Sequence, residues 1–171
     1  MKKIYFSCLF ILLTCTACGF HLRGSLQLPQ QVHSVYIESE KLYDPFVMQL
    51  NNELKSRKVI VVKSPKEAQI TIHVLQIIFT QALRGISANT QVRTYSLAYS
   101  VLIAIKDRNG KILYGPQFVS TTAPYMTSDA QLLGDIQVKD LLRKQMQHEL
   151  ISQIFQHIYA VQGQIAIQQL N

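Results

Sequence analysis

Gln91 to Lys106 reads QVRTYSLAYSVLIAIK, and the alternation within it decides the fold. Tyr95, Leu97, Tyr99, Val101, Ile103 and Ile105 share one face of an extended chain, and Thr94, Ser96, Ala98 and Ser100 share the other. A period of two held over this length predicts a long strand. The large-residue face packs on helices, and the small-residue face admits close approach. Asp107-Arg108-Asn109-Gly110 comes next, and Asn-Gly supplies the positive backbone angles of a tight hairpin turn. Lys111 to Thr122 therefore returns as the antiparallel partner. Gly115-Pro116 interrupts it and predicts an edge position or a bulge, because proline cannot donate to a ladder.

Upstream, Ala68 to Phe79 reads as another strand. Ile70, Ile72, Val74 and Ile78 alternate against Thr71, His73 and Gln76. Leu75, Ile77 and Phe79 make its distal half apolar on both sides. Thr80 to Thr90, with Gly85, reads as a long connecting loop. Val32 to Glu38 is a first strand with Val35 and Ile37 on one face, and Val59 to Val62 is a short buried one. Between them, Asp44-Pro45 starts a helix: the carboxylate accepts from free backbone amides, and proline suits the first helical position. Phe46, Val47, Leu50 and Leu54 recur at helical spacing, and the helix ends near Arg57 or Lys58.

Downstream, Ala123 to Thr127 reads as a loop, and Ser128 and Gln131 have capping-box spacing. A final helix runs to about Ala160. Val138, Leu142, Met146, Leu150, Ile154 and Ile158 step by four along it, and Leu141, Ile151 and Phe155 widen the stripe. Gly163 is read as the helix stop. The predicted class is α+β, with two helices packed on one face of a mostly antiparallel, roughly four-stranded sheet. The other sheet face then has no helix to cover it.

The N-terminus is of another kind. Lys2 and Lys3 precede the apolar run Ile4 to Leu13, the pattern of a secretory signal. The apolar stretch is about a dozen residues, short of the roughly 20 that a spanning helix needs. It ends in Thr16, Ala17 and Cys18, small residues before a thiol. This resembles a lipoprotein signal cleaved between Ala17 and Cys18, with a diacylglycerol carried as a thioether on Cys18 and an N-acyl chain such as palmitate on its amine. The resulting division is a signal peptide (1–17), a lipidated tether (18–31), one α+β domain (32–163) and a C-terminal tail (164–171). A plain signal peptide cut elsewhere is the competing reading.

Removal of residues 1–17 leaves 154 of the 171 residues, enough for one domain with its own core. The formal charge falls from +7 to +5 because Lys2 and Lys3 leave with the signal. So modest a balance suits mild attraction to anionic partners and does not mark a nucleic-acid binder. Cys8 and Cys15 also leave, so the mature chain forms no disulfide of its own.

Motifs for catalysis are absent. His21, His33, His73, His148 and His157 have no metal-ligand spacing, and no nucleophile elbow, zinc-helix motif, phosphate loop or close carboxylate pair occurs. Asp129, Asp135 and Asp140 lie around a helix start, where acids suit the dipole. The reading is therefore not an enzyme, with no cofactor beyond the acyl chains and no metal. Lys55, Arg57 and Lys58 suit a helix end, and Arg108 and Lys111 flank a turn. Arg84 and Arg93 bracket the long loop beside Ile77, Ile78 and Phe79. Their planar guanidinium forks fit the phosphates of an amphiphile. An ordinary loop with solvated charges is the equal alternative.

Cys18-Gly19-Phe20-His21-Leu22-Arg23-Gly24, placed directly after the signal, is similar to the start of mature chains in the LPS-assembly lipoprotein family LptE. Thr90-Gln91-Val92-Arg93-Thr94-Tyr95 opens the long strand with a Gln-x-x-x-Tyr pattern as in relatives, and the element order agrees. The resemblance implies an outer-membrane lipoprotein that plugs an LptD-type β-barrel and helps assemble it, and so takes part in inserting lipopolysaccharide at the cell surface. Its domain would sit largely within or beneath the barrel. Basic positions linked to lipopolysaccharide contact in enteric members fall here on Ser87 or Ala88 and on Gly134, so Arg84 and Arg93 become the candidates. The alternative is a free periplasm-facing lipoprotein that binds a small lipid or serves as a transport accessory.

Overall fold

The structure, a computed structural model, describes residues 32–87, 92–128 and 132–168. Strand β1 (Ser34–Ser39) leads to helix α1 (Pro45–Ser56), strand β2 (Ile60–Val61), a single 3-10 turn (Pro65–Glu67), and strands β3 (Ile70–Ile86), β4 (Val92–Asp107) and β5 (Ile112–Ser128). Helix α2 (Leu132–Gln168) closes the order. The α+β class is as predicted. The strand count is corrected to five, in the order β2-β1-β3-β4-β5.

The sheet is mixed. β1 pairs in parallel with both β2 and β3, whereas β3–β4 and β4–β5 are antiparallel hairpins. The cause is local. α1 carries the chain back over the sheet, so β2 must run parallel to β1. The turn after β2 then delivers β3 to the far side of β1, where it also runs parallel.

β4 sits between two strands and supplies the centre of the core. Leu97, Tyr99, Val101, Ile103 and Ile105 are buried, as the alternation predicts. Tyr99 meets the rings of Phe46 at 5.9 Å and Phe79 at 5.4 Å, so one side chain joins β4 to α1 and β3. Its hydroxyl accepts from Gln147 Nε2 at 3.1 Å, where the Gln147 side chain is itself buried on α2. α1 starts as expected: Asp44 Oδ1 accepts from the Phe46 amide at 2.8 Å, and Phe46, Val47, Leu50 and Leu54 are buried. Its end at Ser56, with Arg57 as the cap, also matches.

β3 is where the sequence misleads. The pairing with β4 shifts register between Val74 and Gln76, so Leu75 is a bulge. A bulge of one residue exchanges the two faces of everything beyond it. Ile72 and Val74 face the core before it, and Ile77 and Phe79 pack against the core after it. The distal half therefore carries Ile77 and Phe79 on the core face and Ile78, opposite Ser100, on the other, with Leu75 as the exposed bulge. β3 also continues to Ile86, so most of the predicted loop is strand, and the Ser87 amide donates to the Val92 carbonyl at 2.9 Å.

β5 behaves likewise. It is the predicted edge strand but extends through the expected loop to Ser128. Gly115, with φ +78°, lies at a register shift, where a Cβ would collide with the Ile103 carbonyl oxygen. The turn between β4 and β5 uses one positive angle rather than two. Asp107 Oδ1 accepts from the amides of Asn109 and Lys111, and Gly110 takes φ +82°.

α2 runs unbroken through Gly163 to Gln168, which corrects the predicted stop and the tail reading of residues 164–168. One glycine disfavours a helix by only about 1 kcal/mol, too little to end one that continues into Gln-Ile-Ala-Ile-Gln. Met146, Leu150, Ile151, Ile154, Phe155 and Ile158 form the buried stripe. Val138 and Leu141, expected in that stripe, are exposed. The Gln131 half of the capping box lies outside the described residues.

Candidate functional site

Three strands of 16 or 17 residues outrun a β1 of six and a β2 of two, so β3, β4 and β5 project as a tongue. Along residues 80–86 of β3 every residue is exposed. Near the end of the tongue, Leu83, Ile86 and Met126 are 51%, 63% and 68% exposed. On the first half of α2, Ile136, Val138 and Leu141 also meet solvent. Apolar residues are thus concentrated where the core has run out.

Cations collect at the same end. Arg93 lies directly opposite Ile86, and Arg84 is the bulged residue between Leu83 and Gly85, so both predicted arginines belong to one hairpin end. The described residues thus bring Arg84 and Arg93 to the same part of the molecule. Two further cations, which the sequence reading did not single out, come from α2. Lys139 Nζ sits 5.3 Å from the ring centre of Tyr125, and Tyr125 in turn meets Tyr95 at 6.2 Å. Tyr125 lies two places from Thr127, the residue paired with Arg93, or roughly 7 Å along the strand. Arg143 lies deeper, away from that end, 5.0 Å over Phe79 and 6.0 Å from Tyr99, with its Nε buried and lacking a hydrogen-bond partner among the described residues. The only signal for this pair was the four-residue spacing on α2, which also fits a solvated helix face.

The strand segments themselves are poor in acids. Between Glu67 and Asp107 the chain carries no Asp or Glu, and none occurs from Lys111 to Ser128. Asp140 on α2 is engaged by Lys144 at 2.8 Å. An anion beside an apolar chain is the chemistry that such an end accommodates.

The second feature is the sheet face opposite the helices. By the register, Thr94, Ser96, Ala98, Ser100 and Leu102 of β4 lie there beside Phe118, Ser120, Thr122, Pro124 and Met126 of β5. Ser120 Oγ donates to Ser100 Oγ at 2.9 Å, and Phe118 is exposed opposite Leu102. At the far end of this face Glu38 accepts from Lys106 Nζ at 2.8 Å, with His73 Nδ1 at 3.5 Å. The hydrogen bond from Lys106 holds the Glu38 carboxyl below the usual glutamate range.

His148 and His157 make structural contacts. His148 on α2 lies 3.2 Å from Glu53 and 2.8 Å from Gln49 Nε2, which ties α2 to α1. His157 stacks on Tyr114 at 4.1 Å, with the Tyr114 hydroxyl 3.0 Å from Nε2. Burial lowers the pKa of His157 and raises that of Tyr114. Among the described residues no group of three or more histidine, cysteine or acidic side chains could hold a metal. Ala17 and Cys18, the predicted cleavage and anchor residues, lie outside the described residues.

A family model described as LptE, lipopolysaccharide-assembly, matches residues 32–158, nearly the whole of this domain. The chain belongs to the LptE family. LptE is a family of lipopolysaccharide-assembly lipoproteins and not a known enzyme family, which places this member in the cell envelope. Among the described residues no helix is long and apolar enough to cross a membrane. The LPS-assembly lipoprotein LptE of Pectobacterium atrosepticum is 22% identical over 156 residues, covering 91% of this chain and 83% of that protein. The solution structure of uncharacterized lipoprotein B from Nitrosomonas europaea matches with a TM-score of 0.69 at 24% identity, covering 85% of this chain and 93% of that one. The crystal structure of rare lipoprotein B from Shewanella oneidensis matches at 0.67 and 15% identity, covering 78% and 98%. At these identities the structural likeness is one of fold.

Proposed function

We propose that this LptE-family protein is an outer-membrane lipoprotein, anchored by a diacylglycerol and an N-acyl chain on Cys18. It forms a complex with an LptD-type β-barrel, serving as the barrel's plug and assembly partner while lipopolysaccharide is inserted at the cell surface. The observation that carries this reading is the tongue end. Arg84 and Arg93 lie there, with Lys139 of α2 close by, beside exposed Leu83 and Ile86, on strand segments 68–106 and 111–128 that carry no Asp or Glu. An anionic glycolipid offers the matching phosphates and acyl chains. The helix-free sheet face, small-residued and largely uncharged along β4, supports a plug lying against a wall. Function here is recognition.

The test is a mild-detergent pull-down of the tagged, acylated protein from its own outer membrane, with partners identified by mass. One large β-barrel in equal amount is the expected result. Recovery of the lipoprotein alone overturns the barrel reading and leaves a free, lipid-binding accessory. Replacing Cys18 by Ala is expected to abolish acylation and membrane fractionation, and unchanged fractionation would sink the anchor.

A further inference from the structure

A second site lies at the opposite edge of the sheet, away from the tongue. β2 pairs with β1 for only two residues, while β1 runs on for four more. The Ile60 amide donates to the His33 carbonyl and the Val62 amide to the Val35 carbonyl. Backbone groups of alternate residues point to the same side of a strand, so Ile37 and Ser39 also direct theirs toward β2. β2 has ended by then, and among the described residues no backbone bond continues the ladder to Ile37. A cavity of about 380 Å³ opens at this notch. Its walls include Ile37 of β1, Val47, Met48 and Asn51 of α1, Leu42, and Lys63 just past β2.

Three properties of the notch define its ligand. Leu42 and Met48 are exposed although both are apolar, so the wall is unfilled. Asn51 Oδ1 is buried and, among the described residues, has no hydrogen-bond donor. Among the described residues the Ile37 amide and carbonyl on this edge have no ladder partner toward β2. An acyl chain would fill the apolar part but leave these polar groups dry and unpaired, which is unfavourable. An extended peptide meets the apolar and the sheet-edge demands, because its backbone continues the ladder while one side chain fills the cavity. Lys63 adds a preference for a carboxylate.

We propose that the notch beside Ile37 is a strand-addition site for a short extended peptide of a partner protein, with a large apolar side chain and an adjacent carboxylate. The site takes up the line that β2 abandons at Val62. It stands apart from the tongue and does not depend on the barrel reading.

The test uses the exported, acylated protein in lipid nanodiscs and an acetylated hexapeptide of alternating Thr and Leu with a free C-terminal carboxylate. Backbone exchange is followed by mass. At a peptide concentration about nine times its Kd, exchange at Ile37–Ser39 is expected to slow about tenfold, with β5 unchanged. Met48→Trp, which fills the cavity from a half-exposed position, should remove this protection while exchange in β4 stays native. Lys63→Glu should weaken the acid-ended peptide about two- to fivefold and spare its amidated form. Protection that survives Met48→Trp, or that falls on β5, overturns the proposal. So does displacement of the peptide by octanoate with no loss of apolar filling, since the site would then take acyl chains.

Discussion

Tyr99 shows how much one residue can hold. It is fully buried on the central strand, and its hydroxyl is satisfied by an equally buried Gln147. Burial raises its pKa, so the neutral hydroxyl persists. Tyr99→Phe leaves the Gln147 amide without its partner and is expected to destabilise by about 1–3 kcal/mol in urea unfolding. Adding Gln147→Met removes the orphaned group, so the double variant should recover most of that loss. A double variant as weak as the single one would mean that the bond is incidental. His157 gives a pH signature. Its folded pKa is lowered by burial, so the unfolded chain binds the proton more readily. Stability is expected to be intact above the ordinary histidine value of about 6.5 and to fall as the pH drops through it. His157→Phe keeps a ring against Tyr114 and should flatten this limb in urea midpoints measured from pH 8 to 5. The alternation made Tyr99 a core residue in the sequence; its partner on α2 was invisible, because no local pattern pairs residues 48 apart.

Elements obey local rules until a register shift or a longer partner overrides them. α1 was legible from Asp44 to its last turn because cap, proline and stripe all point the same way. β3 was not, since the bulge at Leu75 swaps faces and only the pairing with β4 reveals it. The ends of β3 and β5 were cut short for a related reason: residues 80–86 and 123–128 have mixed patterns, and each is held extended by β4 between them. α2 overran Gly163 because packing upstream, at Phe155 and Ile158, outweighs one weak residue. With Gly163 inside the helix, Gly163→Ala is expected to stabilise by up to about 1 kcal/mol and to raise helical circular dichroism. A destabilising result would place the helix stop at Gly163 after all.

At the scale of the molecule, charge and burial divide the domain. The core gathers under α1 and the second half of α2, and the tongue carries cations and exposed apolar residues beyond it. If the tongue end meets an anionic glycolipid, removing its charges should matter more than removing any one. Arg84→Ala, Arg93→Ala and Lys139→Ala are each expected to weaken binding of purified lipopolysaccharide by about two- to tenfold, and the triple variant by more. The loss should shrink in high salt. Binding unchanged in the triple variant would remove the tongue from the lipid reading while leaving the fold untouched. Arg84 and Arg93 were legible because they bracket a loop in sequence, whereas Lys139 and Arg143 became visible only when α2 was laid against β5 and β3.

The sequence alone determined the α+β class, the central strand, the first helix with its cap, and the family, because these rest on periods and short motifs that neighbours in the chain establish between themselves. Tertiary structure decided the five-strand mixed order, the bulges that choose which face Phe79 and Arg84 take, the cation-bearing tongue and the notch beside Ile37. Each of these depends on which distant segment a backbone amide finds as its partner, and hydrogen bonds between strands carry no local signature in the residues that make them.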